Sequence, residues 1–178
     1  MRELEKALDP ADRKRIVSAE RLCIGWLETR SPMELSVYRH LNGIAHDIIA
    51  EFFSNRVIVP DVTTTEDVVW WIRQKFTDLG LQTWFQPSVS IQRSPKDSAL
   101  YGKGDRIIRR GDVLHCDVGI SYLGLSTDTQ HNAYVLRPGE QDAPAGLKEV
   151  LRRGNRLQEI FMDEFQAGRT GNEIYLTA

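Results

Sequence analysis

Asp117 and Asp128 are the residues whose type and spacing most suggest chemistry. They lie in the run Gly111-Asp112-Val113-Leu114-His115-Cys116-Asp117-Val118-Gly119-Ile120-Ser121-Tyr122-Leu123-Gly124-Leu125-Ser126-Thr127-Asp128-Thr129-Gln130. Its β-branched and aromatic content, broken at Tyr122-Leu123-Gly124, predicts two strands, Val113 to Ile120 and Leu125 to Leu136, joined by a tight turn. With the turn centred between Tyr122 and Leu123, partner numbers across the hairpin sum to 245, which Asp117 and Asp128 meet. Like charges directly across a ladder are destabilising, and Cys116, Val118 and Ile120 around them predict a largely buried sheet, where an unpaired carboxylate costs more still. Something positive should lie between them. A divalent metal with hard oxygen ligands meets the need; so does an arginine or a backbone amide for each carboxylate, or a solvated turn that keeps them apart. By the period of two, His115 shares a face with Asp117 and Cys116 points away, as a small buried apolar residue does. His131 falls on the other face from Asp128 and reads as structural.

The elements that must carry this hairpin are legible from caps and periodicity. Ser31-Pro32-Met33-Glu34 combines a capping hydroxyl, a proline at the first helical position and a carboxylate three residues after the cap. The helix it opens keeps Leu35, Tyr38, Leu41, Ala45, Ile48, Ile49 and Phe52 on one face to about Ser54. Thr63-x-x-Glu66 predicts a second capped helix, with Val68, Val69, Ile72, Phe76 and Leu79 facing one way before Gly80 stops it. Leu81 to Gln92 reads as an edge or bulged strand because of Pro87, and Ser94 to Gly111 as a solvated polar loop without chemistry. Pro144 begins a helix with Leu147, Val150, Leu151, Leu157, Phe161 and Phe165 on one face. Thr170-x-x-Glu173 then caps another that Ala178 cuts short, as in a fragment of a longer domain. Upstream, Met1 to Arg15 reads as a helical or irregular arm, and Leu22, Ile24 and Trp26 alternate like a strand.

Composition bounds the rest. The chain has 178 residues with 41% hydrophobic residues and a net charge of -2, which fits an ordinary single globular domain and excludes a disordered tail or a strongly basic nucleic-acid binder. No apolar stretch is long enough for a membrane span, and no signal-peptide core follows Met1. Two cysteines, Cys23 and Cys116, in no zinc-like spacing, suit a reduced, cytoplasmic setting.

The run Arg110-Gly111-Asp112-Val113-Leu114-His115-Cys116-Asp117-Val118-Gly119, followed by Tyr122-Leu123-Gly124 and Thr127-Asp128-Thr129, resembles the first metal-binding block of the M24 metallopeptidases. That pita-bread family holds methionine aminopeptidases, X-prolyl aminopeptidases, prolidases and creatinase. Ser31-Pro32-Met33-Glu34-Leu35 and Val62-Thr63-Thr64-Thr65-Glu66-Asp67-Val68 resemble the openings of its first two catalytic-domain helices. Val69-Trp70-Trp71 and Trp84-Phe85-Gln86-Pro87 are similar to an X-prolyl-aminopeptidase-like subgroup. The resemblance implies an α/β (α+β) pita-bread fold, truncated: an antiparallel sheet with helices on one face, residues 1–30 being an N-terminal arm and 31–178 the N-terminal half of the catalytic domain.

It further implies that Asp117 binds one metal with both oxygens and that Asp128 bridges two divalent ions (Mn, Co, Zn or Fe), with a hydroxide as nucleophile. The family's remaining ligands, a histidine and two glutamates, would fall beyond residue 178, and none of His40, His46, His115 or His131 stands in their place. Two departures stand out. Ser94 to Arg110 lacks the family's substrate-facing histidine, and Gln130 occupies a position where many members carry threonine, though glutamine can still hydrogen-bond a ligand carboxylate. The implied activity is metal-dependent hydrolysis of N-terminal peptide bonds, with a peptide as substrate, no nucleic-acid or membrane partner, and a homodimer among the assemblies allowed. The 178 residues alone are expected to be inactive and to leave an apolar sheet face exposed. The alternative is a non-catalytic pita-bread-like module that binds peptide or protein; a metal-free creatinase-like hydrolase is a third reading.

Overall fold

A computed structural model describes residues 2–102 and 104–178. Helices α1 (Arg2–Ala7), α2 (Pro10–Arg13) and α3 (Glu20–Glu28) precede the long α4 (Pro32–Phe52) and α5 (Thr65–Asp78). Then come β1 (Ser88–Gln92), α6 (Pro95–Tyr101), β2 (Val113–Val118), the two-residue strands β3 (Ser121–Tyr122) and β4 (Leu125–Ser126), β5 (Thr129–Tyr134), α7 (Ala145–Glu164) and α8 (Gly171–Thr177).

Both long helices begin in reciprocal caps that satisfy otherwise unpaired amides. Ser31 and Glu34 cap α4 as predicted. At α5 the cap falls one residue later than predicted, on Thr64 with Asp67. The backbone on either side of that cap is engaged by a later segment: Thr65 N donates to Arg106 O at 3.0 Å, and Thr63 O accepts from Ile108 N at 2.9 Å. These bonds fix the frame among three consecutive threonines.

β1, β2 and β5 form an antiparallel sheet in that order, with β2 central and β1, as expected, at an edge. Helices α4 and α5 cover one face. Leu41, Ala45, Ile48, Ile49 and Phe52 of α4 and Val68, Ile72 and Phe76 of α5 meet Leu114, Cys116 and Val118 of β2, with Val89 and Ile91 of β1 packed at the margin. The period of two then sends Ser88, Ser90, Gln92, Val113, His115, Asp117, Gln130, Asn132 and Tyr134 to the opposite, open face. Apart from Val113 and Tyr134 that face is polar, where an apolar surface was expected. Two helices carry much of the exposed apolar surface: Leu22, Trp26 and Leu27 of α3 and Val150, Leu151, Leu157 and Met162 of α7, neither of which buries a residue.

Three further expectations change. Leu22, Ile24 and Trp26 belong to a helix; Leu22, Cys23, Trp26 and Leu27 also fit a helical stripe, so the short segment satisfied both periods. The second strand of the hairpin is divided into β4 and β5. The Ser94–Gly111 segment, of which Lys103 lies outside the described residues, contains α6 and a buried ionic network. Arg93, its side chain 5% exposed, grips Asp112 with Nε on Oδ1 at 2.7 Å and Nη2 on Oδ2 at 2.9 Å. Its Nη1 reaches Asp105 Oδ2 at 2.9 Å, which also accepts from Arg109 Nε at 2.9 Å. The ring of Tyr101 lies 5.3 Å from the Arg93 guanidinium and 4.2 Å from that of Arg109. Because Asp112 immediately precedes β2, this network pins the end of the strand that carries Asp117.

Candidate metal centre

Leu123 (φ 50°) and Gly124 (φ 76°) form the two-residue turn between β3 and β4, both in the left-handed region that such hairpin turns require. The turn is thus centred one residue later than predicted. Ser121 pairs with Ser126 and Asp117 with Gln130, so partner numbers sum to 247 rather than 245. Asp128 falls two positions from Asp117's partner, on the same face, as its diagonal neighbour; diagonal side chains remain within reach of each other. The Asp128 carboxylate lies within hydrogen-bonding reach of Asp117.

Regular pairing lapses where Asp128 sits, with Gly119, Ile120, Thr127 and Asp128 outside the strands. The backbone there is held by local bonds and by a side-chain clamp. Thr127 N donates to Ile120 O at 2.9 Å, and Ile120 N donates to Thr127 Oγ1 at 3.1 Å. From the segment before β1, the Thr83 hydroxyl donates to Gly119 O at 2.8 Å and the Trp84 indole to Thr127 O at 2.9 Å. This approach depends on the missing side chain of Gly119: a Cβ would lie 2.5 Å from Thr127 O and 2.9 Å from Trp84 Nε1, and would run into the Phe85 ring. Sequence reading missed this clamp; its one signal was a glycine inside a strand pattern, which often marks close backbone approach.

Asp117 Oδ1 is buried and has no hydrogen-bond partner. Oδ2 accepts from Gln130 Nε2 at 3.3 Å, and the other end of that amide, Oε1, meets His115 Nε2 at 3.1 Å. Burial, and after it the charge of Asp128, push the Asp117 carboxyl above the ordinary carboxylate range. An arginine or backbone amide partner would do the reverse, and among the described residues neither donates to either carboxylate; the Gln130 side-chain amide reaches Oδ2 alone. A buried oxygen without a partner beside a second carboxylate is a place where a cation from solution would be stabilised. The donor set fits a hard divalent ion but is small: among the described residues no three His, Cys, Asp or Glu side chains converge.

The other candidates lie elsewhere. His131 is on the helix side, its Nε2 3.1 Å from His46 Nδ1 with the rings edge to face. Cys116 is fully buried there, its thiol pushed up to about 11 by burial. His40, on the exposed side of α4, takes no part in the centre.

Residues 36–178 match the pattern of Metallopeptidase family M24. A prolidase from Thermococcus sibiricus is similar in structure, with a TM-score of 0.52 and 19% identity over 79% of this chain and 35% of that one. A methionine aminopeptidase from Thermotoga maritima gives 0.53 and 20%, over 80% of this chain and 55% of that one. The chain therefore spans between about a third and about a half of the length of these two solved structures, and at such identities the likeness is one of fold. No curated protein matches the sequence.

Proposed function

Because the chain belongs to metallopeptidase family M24, we propose that Asp117 and Asp128 are two ligands of a divalent-metal centre serving hydrolysis of N-terminal peptide bonds, in the manner of X-prolyl aminopeptidases. The observation that carries this reading is the buried, unpartnered Oδ1 of Asp117 beside a second carboxylate. Such a pair is costly in the metal-free protein and is relieved by a cation. Asp117 and Asp128, the latter at the lapse in the ladder, would hold the metal. When bound, the metal supplies a hydroxide nucleophile at neutral pH and charge to steady the developing oxyanion. This chain's own residues do the holding: the Thr83 and Trp84 clamp fixes the backbone beside Asp128, Gln130 takes one oxygen of Asp117, and the polar open face around them forms the floor on which a peptide would lie.

Residues 31–178 would then be the N-terminal half of the catalytic domain and 1–30 an arm preceding it. The setting would be cytoplasmic, in keeping with two unpaired cysteines. Two carboxylates leave an ion most of its waters, so the 178 residues alone should bind Mn2+ only in the roughly millimolar range of sparse, hydrated sites and should not hydrolyse X-Pro peptides. Calorimetry with Mn2+ and an X-Pro peptide assay on this chain test both statements. Micromolar binding, or turnover that Asp117→Ala abolishes, would show that the site is complete within these residues. Weak binding unaffected by Asp117→Asn and Asp128→Asn would refute the metal reading and favour a peptide-binding module.

A further inference from the structure

On the open face, three side chains form a relay that ends on the carboxylate oxygen Asp117 does not leave bare. Register places Gln130 directly across from Asp117, while His115 lies two residues back on the same strand and the same face. The Gln130 amide has one donating and one accepting end. With Nε2 toward Asp117 Oδ2 at 3.3 Å the contact is attractive; turned over, it would set two oxygens against each other. An isolated amide has little reason to keep the first orientation when a cation draws electron density away from the carboxylate. His115 supplies that reason, because its Nε2, 3.1 Å from Gln130 Oε1, can donate to the accepting end and to no part of the flipped amide's NH2.

From this geometry we propose that His115 is a positioning residue for the metal ligand Asp117, acting through the Gln130 amide. The inference rests on the metal reading of the aspartate pair. His115 carries its proton on Nε2, Gln130 is thereby locked with its NH2 toward Oδ2, and the carboxylate is held from turning about its last bond. Oδ1, buried and without a hydrogen-bond partner, is left free to meet an ion. A ligand prepared in this way loses less freedom when an ion arrives, and outer partners of this kind are typically worth about 10–100-fold in metal affinity.

The experiment uses the 178-residue chain and needs no activity. In the metal-free protein, long-range 15N–1H spectra of the His115 ring should show the proton on Nε2, and His115→Ala should shift the Gln130 side-chain NH2 signals. A proton on Nδ1 alone would make Nε2 an acceptor, reverse the amide and overturn the proposal. With Mn2+ as the probe, the paramagnetic relaxation of the Gly119 amide per unit of added ion should fall at least about tenfold in His115→Ala and in Gln130→Ala. The double variant should fall no further than either alone, since the two act as one unit. His115→Gln, which keeps an N–H donor of similar reach, should recover most of the loss; a merely structural role for the ring would give no such recovery. If the aspartate variants abolish the Mn2+ effect and His115→Ala leaves it intact, this inference fails alone. If the aspartate variants leave it intact, the metal reading fails, and the 15N result still reports on the relay.

Discussion

Asp117 is net disfavoured as a carboxylate by its surroundings in the metal-free protein, and that has a measurable sign. A carboxyl whose folded-state pKa is raised binds its proton more tightly folded than unfolded, so stability increases as pH falls through the folded pKa and is diminished above it. Burial and the charge of Asp128 both act in this direction. Asp117→Asn removes the charge while keeping the shape, so at pH 7 without metal it should raise the melting temperature by on the order of a few degrees; a lowered melting temperature would mean that the carboxylate has a stabilising partner. Protons and metal also compete for the same oxygens, so Mn2+ binding should weaken on acidification from a pH above the usual carboxylate range of about 4. Cys116 supplies a second residue-level expectation. With its thiol at about 11 and no exposed surface, it should resist iodoacetamide in the native chain at pH 8 while exposed Cys23 reacts. Peptide mapping that finds equal labelling at both would show that β2 opens readily.

At the scale of elements, what the sequence disclosed and what it concealed follow from how local each signal is. The caps at Ser31 and Thr170 depend on side chains three residues apart and were readable. At α5, Thr63-Glu66 and Thr64-Asp67 satisfy the same pattern, and backbone bonds to the distant 106–108 segment select between them. The hairpin register was off because it hinges on Leu123 adopting a positive φ, which leucine rarely does. The two aspartates nevertheless meet, because a register shift of two preserves the face. The clamp on Asp128 and the Arg93 network were not legible, since both join segments far apart in the chain. Each carries a prediction. Gly119→Ala should push Thr127 and Trp84 apart, costing about 1–3 kcal/mol in denaturant unfolding and weakening Mn2+ binding as well; an unchanged melt would show that the clamp is slack. Arg93→Ala leaves Asp112 buried beside a lost cation and should cost about 3–5 kcal/mol, read from chemical denaturation at pH 7. A loss below about 1 kcal/mol, the range of exposed pairs, would mean that the network is solvated in solution.

Taken as a whole, the molecule joins a well-packed body, α4 and α5 on a three-stranded sheet, to helices that leave much of their apolar surface uncovered. The α7 stripe follows from its period, but Val150, Leu151 and Leu157 on it are 68%, 58% and 52% exposed, because periodicity reports that a face is apolar and not what it meets. The body presents a largely polar open face, and among the described residues the one buried side-chain oxygen without a partner is that of Asp117. The metal centre requires that a divalent ion go to that face. The most direct measurement is the map of Mn2+-induced relaxation over the backbone amides of the 178-residue chain. Broadening should centre on Asp117, Gly119, Asp128 and Gln130, grow toward the roughly millimolar range and be reduced by Asp117→Asn and by Asp128→Asn. Broadening centred elsewhere, or persisting unchanged when both aspartates are replaced by asparagine, would contradict the metal centre.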